Sequence, residues 1–248
     1  MDLHRWGFEP DAAVVITGAG SGIGRATALM CAQLGLAVSA WDIDGAGAER
    51  TVDEIRRLHD GRAMAVEADV NDTQAIAAAF DATVAQFGVP RHLVNNAGPR
   101  AADPTPFADG LVRAAGSMQA VTELYLQLEP PTGSSIVNVA SVAGSIVGAD
   151  PIWYASAKAA IVGYTRSLAI AIGRRVRVNA VGPSLVNTPR MTKWTESELG
   201  RQWAETNPLG RWAEPDDVAA VILFLLSPAA GYVNGVLLPV DGGQTLIL

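Results

Sequence analysis

Charge is scarce in this sequence. Aspartate, glutamate, lysine and arginine together make up 17% of the 248 residues, against about 25% in an average soluble protein. Hydrophobic residues make up 49%. That composition excludes a disordered chain and supplies a large core. The basic sign is the scarcer one: 18 lysines and arginines face 25 aspartates and glutamates, a net charge of −7. A chain so balanced has no basic surface with which to displace counterions from phosphates, so nucleic acid is excluded as a partner. The pairs Arg56-Arg57 and Arg174-Arg175 are too short to reverse this. Cysteine occurs once, as Cys31, which excludes an internal disulfide and a cysteine-built metal centre. Its apolar, helical surroundings read as those of a small buried hydrophobe rather than a reactive thiol. His4, His59 and His92 are scattered without ligand spacing, and no metal is expected. Long apolar runs are missing too. The longest, Val218 to Leu226, falls far short of the roughly 20 residues of a membrane span. The amino-terminal MDLHRWGFEP lacks the apolar core of a signal peptide. The expectation is a soluble, cytoplasmic protein with no membrane partner.

What the chain does have is alternation. Ala12–Thr17 is a continuous, largely β-branched run, the pattern of a strand covered on both faces. Gly22–Leu34 follows as a helix that stops at Gly35. Strands are expected at Leu36–Trp41, Arg62–Glu67, His92–Asn96, Ser135–Ala140, Val176–Val181 and Val236–Val240. Helices are expected at Ala46–His59, Asp72–Phe87, Phe107–Leu128 (mostly helical), Tyr154–Ile172 and Pro215–Leu226. Such strand–helix alternation implies an α/β fold, a doubly wound parallel sheet of the Rossmann type in three α/β/α layers. No linker divides residues 1–248, so one domain is expected. Ligands of such sheets bind at the carboxyl ends of the strands, at the switch point.

Thr17-Gly18-Ala19-Gly20-Ser21-Gly22-Ile23-Gly24 lies between the first strand and the first helix. Glycines let the backbone turn tightly and approach a pyrophosphate, and the helix amino terminus offers free N–H groups and a positive dipole end. The strand-before, helix-after context that the motif requires is met. Asp42 ends the second strand in Trp41-Asp42-Ile43-Asp44, about 20 residues past the turn, where an acid accepts hydrogen bonds from the adenosine ribose. A carboxylate there repels a 2′-phosphate, and Ser21 puts no cation in the loop to receive one. The inference is NAD(H) rather than NADP(H). The competing role for Asp42 is to cap the following helix.

Tyr154-Ala155-Ser156-Ala157-Lys158 sets a tyrosine and a lysine at i and i+4 on one helix face. A free tyrosine titrates near 10, and a neighbouring ammonium favours its phenolate. Ser141 follows the fifth strand, so its hydroxyl also lies on the carboxyl edge.

With these residues the chain resembles the short-chain dehydrogenase/reductase family, from about Ala12 to Thr245. The Thr17–Gly24 turn matches the family's TGxxxGxG, with Gly18, Ser21, Gly22, Ile23 and Gly24 around the cofactor. Asp69-Val70 matches the acid–apolar pair that contacts adenine, while Asp42 and Ile43 close the second strand. Asn95-Asn96-Ala97-Gly98 matches the NNAG after the fourth strand. Ser141, Tyr154 and Lys158 match the catalytic serine and YxxxK. Val178-Asn179-Ala180-Val181 leads to Pro183 beside the nicotinamide, and Val186 and Thr188 fall where a backbone group and a hydroxyl hold the carboxamide. The resemblance implies NAD as cofactor and a secondary alcohol or ketone as substrate. Tyr154 would act as general acid–base, Lys158 would lower its pKa and hold the nicotinamide ribose, and Ser141 would orient the reacting oxygen. It also implies a homo-oligomer, a dimer or tetramer. The Phe107–Leu128 and Tyr154–Ile172 helices are candidates for the contact, and the latter is apolar around much of its circumference.

The chain departs from the family twice. Relatives carry an asparagine in the helix after NNAG, where it helps a proton-relay water. No asparagine lies between Pro99 and Pro130 here, which leaves Ser117, Gln119, or water and backbone to serve. The family's Pro-Gly after the sixth strand reads Pro183-Ser184. These departures leave open a second class of function, a cofactor-binding homologue with weak or no catalysis that acts as a sensor or partner subunit. Substrate choice is expected in a segment from about Leu185 to Trp212. It carries Met191, Trp194, Trp203, Leu209 and Trp212, either as a lid over a bulky, uncharged substrate or as packing against the sheet or a neighbouring subunit. Arg190, Lys193, Arg201 and Arg211 are expected to be solvated surface and not a carboxylate clamp.

Overall fold

The computed structural model describes residues 6–59 and 61–247; His4 lies outside them. Seven parallel strands form one sheet in the order β3-β2-β1-β4-β5-β6-β7. They are β1 Ala13–Thr17, β2 Ala37–Asp42, β3 Ala63–Glu67, β4 His92–Asn95, β5 Ser134–Val139, β6 Val176–Pro183 and β7 Leu237–Val240. Each lies within two residues of its expected position. The chain winds outward from β1 to β3, returns to pair β4 beside β1, and winds outward again to β7. The switch point therefore lies between β1 and β4, where Ile16 pairs with Val94 and the two strands end side by side.

Apolar residues on both sides of the strands make the sheet the middle of three layers. On one face Val14, Ile16, Val38 and Val137 pack under α1 (Gly22–Gln33), α2 (Gly45–His59) and α9 (Pro215–Leu226), with Cys31, Ile55, Ile222 and Leu226 filling the layer. Cys31 is fully buried, and burial pushes its thiol pKa well above the ordinary value, so the thiol is inert. On the other face Val15, Trp41, Leu93 and Ile136 pack under α3 (Thr73–Phe87), α5 (Ser117–Gln127) and α6 (Ile152–Ile172), against Ile76, Phe80, Val121 and Tyr125. Helix ends follow local chemistry. Asp72 caps α3 by accepting from the N–H of Gln74 at 2.8 Å, and Gly88, at φ 78°, ends it. Pro215 opens α9 behind a capping box between Glu214 and Asp217.

Three local features differ from the pattern-based expectation. Phe107–Leu128 is mostly helical, as expected, but it runs as α4 (Phe107–Leu111) and α5 on either side of a wide π turn at Val112–Gly116, which periodicity does not predict. Gly110 explains the close seating of α4: a β-carbon there would lie 2.5 Å from the Trp153 ring. The segment after β6 is not a plain loop but carries α7 (Thr192–Thr195) and α8 (Glu198–Thr206), the latter capped by Ser197 at 3.0 Å from the Gly200 N–H. Helix α6 buries Trp153, Ala157, Ile161, Val162 and Thr165, yet within one chain it leaves Ile152, Ala160, Gly163 and Ile170 exposed. No helix of the described residues is long and apolar enough to cross a membrane.

Candidate active site

The glycine turn leaves β1 and is held in place from three sides. Gly18 has φ 68°, and a β-carbon there would lie 2.7 Å from the Asn96 amide. The Asn96 side-chain amide donates to the carbonyls of Thr17 at 2.9 Å and Gly18 at 3.1 Å. The backbone N–H groups of Asn96 and Ala97 both donate to the Thr17 hydroxyl, at 3.0 Å. From the other side Asp42 accepts from the Gly20 N–H at 2.8 Å through one carboxylate oxygen and from the Asp44 N–H at 2.9 Å through the other. Those bonds go to the glycine turn and to its own loop, not to the amino terminus of α2. From above, a β-carbon on Gly22 would lie 3.1 Å from the Thr188 methyl group, so the segment after β6 lies over the turn.

Within this frame the residues fit a dinucleotide. Ser21 is the N-cap of α1 but makes no side-chain cap bond, leaving its hydroxyl and the first N–H groups of the helix for an anion. Ile43, beside Asp42, is 68% exposed, a flat apolar surface that a base would cover. Asp69 and Val70 follow β3 at the same edge. The Asp69 carboxylate is engaged by the backbone and side chain of Asn71 at 2.9 Å, and Val70 packs on the core. Both amide donors of Asn96 are committed to the turn.

The catalytic candidates meet at the ends of β5 and β6. The Ser141 hydroxyl donates to the Pro183 carbonyl at 3.3 Å and accepts from the Ala143 N–H at 3.1 Å. It faces the Tyr154 phenol and favours the ionised form of that group. Tyr154 lies on the first turns of α6, its ring edge-on to Trp153 at 5.7 Å between centroids. The Lys158 ammonium is 5.6 Å from the Tyr154 ring centre and donates to the Val139 carbonyl at 2.8 Å. An ammonium has three donors, so two remain for other acceptors. Burial pushes the Tyr154 pKa above its ordinary value, opposed by Ser141 and then by the Arg190 guanidinium. Burial, and after it the Arg190 guanidinium, lowers the Lys158 pKa to about 8. Arg190 is thus a cation favouring the phenolate that the sequence did not point to.

Arg190 is exposed, as expected of solvated surface, but its guanidinium also donates to the Gly98 carbonyl at 3.3 Å. Its neighbours on the segment keep to that expectation. Lys193 and Arg201 are exposed, and Arg211 pairs through two nitrogens with Asp217. The two candidates for the missing asparagine bond within their own helical segment. The Ser117 hydroxyl is spent on the carbonyls of Arg113 and Ala114, and the Gln119 amide pairs with Glu123 along the helix.

Sequence reading missed a buried polar chain behind the site. The Asn95 amide donates to the Thr122 hydroxyl and to Asn138, both at 2.9 Å, and Asn138 donates to the Thr165 hydroxyl at 2.9 Å. Polar residues in the middle of otherwise apolar strands, such as Asn138 in Ser134–Val139, were the available signal. The tryptophans of the post-β6 segment pack on one another: Trp194 lies 5.0 Å from Trp212 and 6.3 Å from Trp203 between ring centres. Beside them a cavity of about 290 Å³ is lined by Ser184, Asn207, Leu209 and Asp241 among others, and by none of Ser141, Tyr154 and Lys158. No cluster of three potential metal ligands lies among the described residues.

The model of the family described as enoyl-(acyl carrier protein) reductase matches residues 18–245. The cis-4-hydroxycyclohexanecarboxylate dehydrogenase of Sinomonas cyclohexanicum is 37% identical over 94% of this chain and 96% of its own. The chain belongs to the short-chain dehydrogenase/reductase family. As a short-chain dehydrogenase/reductase it is an oxidoreductase, and its family uses a nicotinamide cofactor. Another relative is the cyclohexanol dehydrogenase of Acinetobacter sp. (strain SE19), 34% identical over 93% of this chain and 94% of its own. Among solved family structures, 7α-hydroxysteroid dehydrogenase in complex with NADH and 7-oxo glycochenodeoxycholic acid superposes with a TM-score of 0.86. It is 30% identical and covers 94% of each chain.

Proposed function

We propose that this chain is an NAD(H)-dependent dehydrogenase that interconverts a secondary alcohol and a ketone on a bulky, largely apolar, ring-bearing substrate. The observation that carries the reading is Ser141 facing Tyr154, with Lys158 one turn further along α6, on the same sheet edge as the laced glycine turn. The substrate class is supported by the relatives, which act on a cyclohexanol, a hydroxycyclohexanecarboxylate and a hydroxysteroid. Residues 185–212 are the substrate segment in this reading.

A bound nicotinamide dinucleotide supplies the hydride chemistry. The protein does the rest. Ser141 holds the reacting oxygen by a hydrogen bond. Tyr154 Oη takes the alcohol proton in oxidation and returns it to the carbonyl oxygen in reduction. Lys158 offers its free donors to the ribose hydroxyls, and Val186 and Thr188 hold the carboxamide beside Pro183. The burial that raises the Tyr154 pKa also keeps water from the proton-transfer path.

Preference for NAD is supported by the charges around Asp42. Its carboxylate stands where a 2′-phosphate would lie, and like charges brought together cost several kcal/mol. The nearest candidate cation, Arg25, is ion-paired with Glu54, and Arg50 is held by Asp44 at 3.1 Å. A panel of cyclohexanol, 4-hydroxycyclohexanecarboxylate and a hydroxysteroid, run with NAD and NADP in parallel, tests both halves. The expected result is turnover with NAD at a kcat/KM about 100-fold above that with NADP, equivalent to about 2.7 kcal/mol. Preference for NADP overturns the cofactor reading. Tight NADH binding with no turnover of any alcohol or ketone favours the non-catalytic alternative instead.

The exposed stripe of Ile152, Ala160, Gly163 and Ile170 on α6 supports a homodimer or homotetramer, since a second copy would cover it. Light scattering is expected to give two or four times the chain mass; a monomer refutes assembly.

A further inference from the structure

We propose that Arg190 is a carboxylate anchor, and that the substrate is an alicyclic secondary alcohol carrying an anionic group away from the carbon that reacts. This rests on the dehydrogenase reading above and narrows it. Arg190 follows Thr188 by two residues, in the turn where the Met191 N–H donates to the Thr188 carbonyl. From there its guanidinium crosses to the Gly98 carbonyl, at 3.3 Å. That one long bond ties the segment after β6 to the end of β4 and leaves most of the guanidinium's five donors uncommitted.

Its position sets it apart from other arginines without a carboxylate partner among the described residues, such as Arg57, Arg166 and Arg201: its guanidinium reaches the Gly98 carbonyl just past the end of β4. Arg25, Arg62, Arg91 and Arg211 each have a carboxylate partner, and Arg177 is bound to the carbonyls of Leu225, Leu226, Ser227 and Val233. Arg190 has no carboxylate partner among the described residues, and it is exposed at the mouth of the site. Its charge is felt at both Tyr154 and Lys158. The reacting end therefore carries two cations, Lys158 and Arg190. A planar guanidinium with free paired donors is matched to a carboxylate in the two-point geometry that lysine cannot reproduce.

The other anion in reach is the cofactor diphosphate, and the experiment separates the two. Wild type, Arg190→Leu and Arg190→Lys are compared with cis-4-hydroxycyclohexanecarboxylate and with cyclohexanol, and KM for NAD is measured in each. The expected result is that Arg190→Leu lowers the kcat/KM ratio of the carboxylated over the neutral alcohol at least about tenfold, with Arg190→Lys recovering part of it. Calorimetric titration of cyclohexanecarboxylate into the enzyme saturated with NADH gives a readout free of turnover, where Arg190→Leu is expected to weaken binding at least about tenfold. Equal loss on both alcohols overturns the proposal. So does a rise in KM for NAD with the ratio unchanged, which assigns Arg190 to the diphosphate. If wild type oxidises neither alcohol, the dehydrogenase reading fails on its own, and calorimetry still decides on Arg190. Weaker carboxylate binding in Arg190→Leu upholds the anchor; undetectable or unchanged binding removes it.

Discussion

Tyr154→Phe is expected to reduce turnover about 1,000-fold while NADH binding survives, within the 10²–10⁴ range that a positioned acid–base contributes. The substitution removes one oxygen and leaves the ring, so the edge-on contact with Trp153 and the packing of α6 remain. What is lost is the atom that exchanges a proton with the substrate oxygen. Ser141 cannot replace it, because an aliphatic hydroxyl is a far weaker acid than a phenol and is a poor proton donor or acceptor without a base beside it. The measurement is kcat with the best alcohol of the panel, alongside the fluorescence of bound NADH. A kcat within tenfold of wild type would remove Tyr154 from the chemistry. The pH profile adds a sign. Oxidation needs the phenolate, and burial places the Tyr154 pKa above its ordinary value near 10. Oxidation in the wild type should therefore rise with pH from 7 through 10, close to tenfold per unit while chemistry limits. Reduction needs the phenol and should stay level over most of that range before falling. The residual rate of Tyr154→Phe should lose this dependence.

Gly24→Ala is expected to cost about 3 kcal/mol of stability, at the upper end of the usual range for overpacking, and to weaken NADH binding at least about tenfold. The β-carbon would lie 2.1 Å from the Gly18 carbonyl and 2.6 Å from the Asn96 amide. The first obstacle is backbone and cannot rotate away. The second is the side chain that ties the turn to β4. Relief therefore requires the glycine turn to leave Asn96, and with it the geometry of the phosphate site. Gly35→Ala is the control. Gly35 has φ 82° but nothing within 4 Å of an added β-carbon, so its cost is backbone strain alone, about 1 kcal/mol, with cofactor binding intact. Thermal denaturation and NADH titration of both variants check the pair. Stability and affinity near wild type in Gly24→Ala would mean that the turn has slack the structure does not contain.

The parts legible from sequence are those whose chemistry is local. Val14, Val15 and Ile16 declare a buried strand by composition, and the glycines after them declare a turn by spacing. Tyr154 and Lys158 share a helix face wherever that helix lies. The parts that were not legible depend on contacts between distant residues. Asn96 has its amide N–H groups committed to Thr17 and Gly18, 79 and 78 positions earlier, a brace for the turn that no local pattern encodes. Arg190 meets Gly98 across 92 positions, and no local pattern separates it from Lys193 or Arg201. The close seating of Gly110 on Trp153 is a pairing between two helices that periodicity in either one does not encode. The family resemblance suggested roles for Val186 and Thr188, but not the close approach of Thr188 to Gly22.

The lacing of the glycine turn has a consequence for the heat and entropy of cofactor capture. Asn96, Thr17 and Asp42 fix the loop through hydrogen bonds formed when the chain folds. Freezing a flexible backbone costs about 1–2 kcal/mol per residue, and here that loss is incurred at folding. A ligand arriving at the turn finds its N–H groups already aimed, so little of its interaction energy goes into ordering the loop. The same coupling runs in reverse: saturating cofactor adds to the folded state alone and raises its thermal midpoint with ligand concentration. The loop that binds the dinucleotide is thus also a place where the fold is held shut by it.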